Sequence, residues 1–170
     1  RECRPSDSHY TDKMASRAIA AFTICNLALV DDDIAGKSVC DSSQDGGIDA
    51  LCVNHSEKRV VVVQSKFDKG GNGTWKKNDF LAFKDACEKL QQEEYQRFDK
   101  ILQEMASDIE IGLGSHDYKF LFVMAHTGKC GAAEEILGDM QGWQDELNSA
   151  ALTLDNTPQD ELLFQVHLVS

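Results

Sequence analysis

The sequence predicts an α/β domain with a mixed central β-sheet and helices on both of its faces. The chain has 170 residues, of which 42% are hydrophobic and 27% charged, an ordinary composition for one globular domain. A run of four valines and a second apolar stretch predict strands in a buried sheet. Strand–helix–strand alternation in the second half favours a mixed sheet covered on both sides.

The first part of the chain predicts a polar arm and one buried helix. Residues 1–11 are polar, and residues 12–30 are apolar nearly all round, which is typical of a helix inside a protein. Thr11 or Asp12 is placed to cap that helix. Acidic residues and a glycine then predict a turn, and residues 38–41 predict a weak strand.

The next two strands are expected to form an antiparallel hairpin. Residues 48–53 follow a Gly-Gly break, and residues 59–67 contain the valine run. With a four-residue loop between them, Asn54 pairs with Arg59. The same register places Asp49 directly across from Gln64 on one side of the sheet.

A glycine-rich loop and a long helix follow the hairpin. The loop is at residues 70–73, and the apolar stripe of residues 78–105 predicts a helix that Asn78 caps. Residues 109–115 contain two glycines and predict a loop.

The last part predicts two strands around a second long helix. Residues 118–125 predict a strand buried on both faces, residues 132–150 a helix, and residues 161–169 a final strand. The predicted element order is therefore α-β-β-β-α-β-α-β. We expect a single domain over residues 12–170, excised from a longer protein because the chain begins with Arg1 and not Met.

Cysteine and hydropathy patterns predict a cytoplasmic protein with no membrane partner. No apolar run approaches the ~20 residues that cross a bilayer. The six cysteines form no CxxC pair and have no zinc-finger spacing to histidine, so a reducing compartment is expected. Cys25 and Cys52 lie in apolar runs and are expected to be small buried hydrophobes.

Charge is distributed unevenly along the chain. The net charge is −12, which argues against a nucleic-acid partner because phosphate contacts need Lys and Arg. Residues 58–84, however, hold seven of the 17 basic residues and two acidic ones, a local net charge of +5. This basic island either faces a polyanion or is an ordinary solvated surface. If it binds nucleic acid, the expected contacts are Lys69, Trp75, Lys76, Lys77 and Lys84, although Trp75 could equally pack on the sheet.

The hairpin carries the residues that could perform chemistry. Its register brings the carboxylate of Asp49, the amide oxygen of Gln64 and the ammonium of Lys66 together. Mg²⁺ prefers oxygen ligands, so Asp49, Gln64 and the backbone carbonyl of Ser65 are candidate ligands. A metal there would polarise a phosphate and acidify a bound water, while Lys66 would stabilise developing negative charge.

Two segments of this hairpin resemble a known nuclease family. Residues 44–51 (QDGGIDAL) and 61–67 (VVVQSKF) are similar to the core of the PD-(D/E)xK superfamily, within its Mrr-like group, where Gln replaces the usual acid before x-Lys. The chain most resembles the bacterial abortive-infection phage-resistance (AIPR) family, including a Ser-x-Ala start of the first helix at Ser16.

The resemblance implies a restriction-endonuclease-like fold and an Mg²⁺- or Mn²⁺-dependent endonuclease, acting on DNA in antiphage defence. It carries over Asp49, Gln64 and Lys66 as the catalytic set, with Asp45 and Asp41 as accessory acids. One feature departs from the wider superfamily, because many relatives carry a metal-binding Glu on the first helix. Residues 16–30 here contain no acid, although the acids at 31–33 could reach in from the next turn.

Several alternatives stay open from the sequence. A catalytically silent nuclease-like module could bind nucleic acid or a protein partner, and a plain α/β ligand-binding domain is a third option. The rest of the parent polypeptide is an expected partner. A homodimer would bring two active sites to the two strands of DNA.

Overall fold

A mixed four-stranded sheet organises the chain in our computed structural model, which describes residues 9–40, 46–129, 131–152 and 163–170. The strands lie in the order β1-β2-β3-β4. Strands β1 and β2 are antiparallel, whereas β2, β3 and β4 are parallel. The strands are β1 (Ala50–Asn54), β2 (Arg59–Lys66), β3 (Lys119–His126) and β4 (Phe164–Val169). The predicted mixed α/β sheet is confirmed, while the specific restriction-endonuclease-like order stays a prediction.

Helices cover both faces of this sheet, as predicted. The helices are α1 (Tyr10–Leu27), α2 (Asp32–Lys37), α3 (Lys77–Gln91), α4 (Lys100–Glu104), α5 (Ala106–Leu113) and α6 (Glu134–Leu152). One core forms between the sheet and α3–α6, and a second forms between the opposite face and α1–α2. Parallel strands need long connections, and α3–α5 and α6 lie in those connections.

The valine run is fully buried because it faces both cores in turn. Val60 and Val62 pack with α3–α6, whereas Val61 and Val63 pack with α1 and α2. Strand β3 alternates in the same way and is buried on both faces, as predicted. These positions therefore need apolar side chains at consecutive residues and not only at every second one.

The hairpin register is confirmed. Asn54 pairs with Arg59, and the ladder continues to Ala50 opposite Val63. The Asn54 side chain accepts the N–H groups of Ser56 and Glu57, which stabilises the turn. The weak strand predicted at 38–41 is reduced to one antiparallel bridge between Val39 and Ala50 in the described part of that range.

The long helix predicted at 78–105 is wrong, because it divides into three helices. After α3, Glu93 adopts a left-handed φ of 60°, and a 3₁₀ turn follows at Tyr95–Arg97. Asp99 then caps α4 by accepting the N–H of Leu102 at 3.1 Å. Four consecutive polar residues at 91–94 interrupt the apolar stripe, so each segment buries its own side chains.

The loop predicted at 109–115 is also wrong, because most of it belongs to α5. Gly112 indicated a loop, but it lies inside the helix, where an added Cβ would stand 2.9 Å from Val60 Cγ2. The glycine therefore allows close packing of α5 on the sheet.

The first helix differs from expectation in its cap and its burial. It begins at Tyr10 with His9 as N-cap and without a side-chain capping bond, so neither Thr11 nor Asp12 caps it. Only one face packs on the sheet, which leaves Phe22 72% exposed. Cys52 is buried as predicted, whereas Cys25 is half-buried. Within the described ranges, no helix combines the length and apolar character needed to cross a membrane.

Candidate functional site

The predicted site residues lie at the carboxyl end of β2. Gln64, Ser65 and Lys66 are the last three residues of this strand, and Asp49 comes immediately before β1. Lys66 stands beside His126, the last residue of the parallel neighbour β3. Ligands of open α/β sheets commonly bind at such carboxyl ends, so this edge is the candidate site.

Asp49 binds Ser65 and ends the hairpin ladder. Its carboxylate Oδ2 accepts the Ser65 N–H at 2.6 Å and lies 3.0 Å from the Ser65 hydroxyl. The Asp49 N–H donates to the Val63 carbonyl at 2.8 Å. The regular ladder therefore ends at the pair of Ala50 with Val63. The expected direct pairing with Gln64 is therefore replaced by a side-chain bond to the next residue.

The amide of Gln64 faces α3. Its Nε2 lies 3.8 Å from the position that a Cβ on Gly47 would occupy, and the Ala82 carbonyl of α3 is equally close to that position. Gly47 has a φ of 98°, so a side chain there would be strained as well as crowded. Gln64 Oε1 is buried and has no hydrogen-bond partner within the described residues. An acceptor in this condition is costly unless a ligand binds it.

Lys66 is bound to an acid that the sequence analysis did not assign to the site. Its ammonium donates to Asp79 Oδ2 at 2.9 Å and lies 3.5 Å from the Thr74 carbonyl. It also stands 5.5 Å from the centre of the Trp75 ring. The side chain is 36% exposed, so a polymer can reach it.

Asp79 holds Lys66 from the first turn of α3. Its Oδ2 also accepts the Lys76 N–H at 3.2 Å, which stabilises the start of the helix. Partial burial acts to raise the pKa of Asp79, but the bonds from Lys66 and Lys76 and their charges outweigh it and leave the pKa lowered. The signal in the sequence is an acid three residues after the N-cap, but the N-cap is Lys76 and not Asn78 as predicted.

His126 is a buried neighbour of this cluster for which the sequence motifs predict no catalytic role. It is 5% exposed, and its ring meets Trp75 edge-on with centroids 6.3 Å apart. The Gly128 N–H donates to Nδ1 at 3.0 Å, which assigns the proton of the neutral ring to Nε2. That Nε2 has no partner among the residues described. Burial, and then the charge of Lys66, lower the pKa of His126 and keep it neutral.

The expected nucleic-acid contacts are only partly available. Trp75 is 3% exposed and packs in the core. Packing on the sheet is therefore the role observed for it, and its ring is not accessible for stacking on a base. Lys77 pairs with Glu135 and Asp139 of α6. Lys84 pairs with Glu146 at 3.3 Å and Glu88 at 3.7 Å.

Two lysines of the basic island carry charges that no acid neutralises in the described part of the chain. Lys69 and Lys76 are exposed and form no ion pair within the described part of the chain. The island is therefore less positive than its sequence implied.

The acids at 31–33 lie away from the site. They follow the end of α1, where the Leu27 carbonyl accepts a bond from Arg59 at the beginning of β2. Asp31 caps α2 by accepting the Ile34 N–H. From α1, Ser16 approaches the site instead, because its carbonyl lies 3.0 Å from the Ser65 hydroxyl. Asp41 and Asp45 lie outside the described residues.

The described oxygens fit a hard dication only in part. Asp49 offers a carboxylate and Gln64 an amide oxygen to which no described residue donates a hydrogen bond, and these are ligand types that Mg²⁺ prefers. Within the described ranges, no three His, Cys, Asp or Glu side chains form a metal-binding group. A site built on Asp49 and Gln64 would therefore also need backbone oxygen and water as ligands.

Comparisons of the chain with protein-family models, with curated proteins and with solved structures gave no match. The resemblance to the nuclease family stays a prediction that rests on its motifs. The function is therefore argued from the residues themselves.

Proposed function

We propose that this domain is a divalent-metal-dependent endonuclease that hydrolyses phosphodiester bonds in DNA. The observation that carries the proposal is the buried Oε1 of Gln64, which has no hydrogen-bond partner among the residues that the structure describes. Gln64 directly precedes Ser65, which binds the Asp49 carboxylate, and stands two residues before the partly exposed Lys66 on the same strand. An oxygen ligand, a carboxylate and a cation at one strand end are what metal-assisted phosphate chemistry requires.

Each residue has a defined part in this proposal. Asp49, Gln64 and the Ser65 carbonyl would hold Mg²⁺ or Mn²⁺, and Ser65 fixes the Asp49 carboxylate through its N–H. The ion, when bound, polarises the phosphate and lowers the pKa of a water. Lys66 places a positive charge where the phosphate gains negative charge, and Asp79 and the Trp75 ring fix the position of its ammonium.

Cleavage of supercoiled plasmid in Mg²⁺ or Mn²⁺ tests the proposal. We expect the wild-type chain to nick the plasmid, with EDTA abolishing the activity. Lys66→Ala and Asp49→Ala should each lower the rate by about 100-fold or more, since each removes a charge that acts on the reacting phosphate.

Lys58→Ala is the matched control. Lys58 is a basic residue at the opposite end of the same hairpin, where it pairs with Asp117 on the surface. We expect it to keep full activity. Plasmid nicking that survives both Lys66→Ala and Asp49→Ala would contradict the proposed site.

A catalytically silent module that binds nucleic acid or a protein partner is the second candidate. It is favoured by the ion pair that engages Lys66 and by the acids of α6 that neutralise Lys77. This candidate predicts DNA binding without any cleavage in either metal. The plasmid assay therefore separates the two functions.

We extend the first proposal to antiphage defence in the cytoplasm. This role is supported by the motif resemblance to abortive-infection proteins and by no structural observation. The rest of the parent polypeptide, or a second copy of the chain, would supply DNA recognition and the second active site for double-strand cleavage.

A further inference from the structure

We propose that Asp79 supplies the second carboxylate of the metal site, from α3, because residues 16–30, which include the part of α1 beside the site, contain no acid. This inference rests on the proposed function. It concerns a residue that the sequence motifs do not contain, because Asp79 follows Lys66 by thirteen residues and belongs to another element.

The need for a second acid follows from the composition of the site. Asp49 is its one carboxylate among the described motif residues, and Gln64 contributes a neutral oxygen. The α1 residue beside the site is Ser16, which is bound to Ser65. The acid of α1, Asp12, is exposed on its first turn next to His9. A dication would therefore have one charged ligand unless another element provides a second.

The packing of α3 brings Asp79 to the required place. Asp79, Ala82 and Ala86 lie on one face of the helix because they are three and seven residues apart. The Ala82 carbonyl and the Ala86 Cβ lie within 4.0 Å of the space beside Gly47 that also adjoins the Gln64 amide. Asp79 is thus one helical turn from the part of α3 that faces Gln64.

The contact with Lys66 places Asp79 on the same face of β2. Gln64 and Lys66 point to the same side of the strand because they are two residues apart. The Asp79 Oδ2 is bound to Lys66 at 2.9 Å, so the Asp79 carboxylate lies on the side of β2 to which the Gln64 side chain also points. The Asp79 Oδ1 forms no hydrogen bond within the described part of the chain and can bind an ion. The sequence motifs predict one acid for this site, Asp49, and the fold adds Asp79 from another element.

Isothermal titration calorimetry of Mn²⁺ binding to the full 170-residue chain tests this role, and it does not depend on activity. We expect Asp79→Asn to weaken Mn²⁺ binding by about 10-fold or more, because the variant removes a charged ligand but keeps the shape. Asp85→Asn is the matched control, since Asp85 lies on the same helix and pairs with the surface Lys89. It should bind Mn²⁺ like the wild type.

A double variant separates ligation from charge balance. If Asp79 only offsets the charge of Lys66, then Lys66→Met combined with Asp79→Asn should restore wild-type Mn²⁺ affinity, and that result would overturn the inference. If Asp79 is a ligand, affinity stays low in the double variant. Thermal melting in EDTA checks folding, and Asp79→Ser, which keeps a capping oxygen, replaces Asp79→Asn if the latter does not fold.

The outcomes distinguish this inference from the proposed function. If the wild type binds Mn²⁺ and Asp49→Asn loses it while Asp79→Asn does not, the inference fails and the metal site remains. If the wild type binds no Mn²⁺ and cuts no DNA, the proposed function fails as well.

Discussion

At the scale of single residues, the candidate site is marked by polar atoms that lack partners. Gln64 Oε1, Trp75 Nε1 and His126 Nε2 are all buried without a hydrogen bond in the described part of the chain. Leaving such a group unpaired costs about 1–3 kcal/mol. Three such atoms near Lys66 lower the local stability of the fold, and a bound ligand or ordered water that pairs with them would offset this loss.

Tyr95 provides a residue-scale prediction away from this site. Its hydroxyl is buried without a partner in the described ranges, and burial, with the charges of Glu110 and Glu93, raises its pKa to about 12. Tyr95→Phe removes an unsatisfied hydroxyl, so we expect the free energy of unfolding at pH 7 to rise by about 1 kcal/mol. Urea unfolding of both proteins measures this.

The same variant has a defined pH dependence. An unfolded tyrosine loses its proton near pH 10, whereas the folded one keeps it to about pH 12. The stability that this shift provides is complete below pH 10 and is lost as the pH rises through 12. The advantage of Tyr95→Phe should therefore be larger at pH 11 than at pH 7. An equal advantage at both values would contradict the assigned pKa.

At the scale of elements, the sequence predicts correctly those features that depend on residues close together in the chain. The hairpin register followed from a four-residue loop and strict alternation, and the structure has the same pairing of Asn54 with Arg59. The division of the long helix depends instead on Phe98, which packs in the core beside the Gly46 turn. That packing involves residues 52 positions apart, and no helical periodicity reports it.

The loops after β2 and β3 provide an element-scale prediction. A Cβ at Gly128 would stand 1.9 Å from the Gly73 carbonyl oxygen, so Gly128→Ala must push the two loops apart. We expect a loss of about 1–3 kcal/mol in the free energy of unfolding. In α6 no atom of the described residues lies within 4 Å of a Cβ at Gly138, so Gly138→Ala should instead raise the free energy of unfolding by about 0.5–1 kcal/mol.

Urea unfolding of these two alanine variants compares them directly. The same substitution is expected to lower the free energy of unfolding in the loop, where a Cβ has no room. It is expected to raise it in the helix, where alanine favours the helical conformation more than glycine does. A Gly128→Ala protein as stable as the wild type would show that the two loops are not packed as described.

At the scale of the whole molecule, the net charge of a segment could be counted from the sequence, but the ion pairs that its residues form could not be predicted. The local charge of +5 over residues 58–84 was correct as a sum, yet α6 and the hairpin's surroundings supply acids to several of those lysines. The ion pair between Lys66 and Asp79 likewise depends on where α3 docks on the sheet. The motif therefore predicts Asp49, Gln64 and Lys66 as site residues, whereas the pairing of Lys66 with Asp79 could be found only from the fold.

The proposed nuclease depends on a divalent metal that binds beside Asp49 and Gln64. Crystals soaked in Mn²⁺ and measured at the manganese absorption edge test it most directly. We expect an anomalous peak at bonding distance from the Asp49 carboxylate and the Gln64 Oε1. A map with no peak at these two side chains, from protein that is folded and soaked at saturating Mn²⁺, would contradict the proposed metal site.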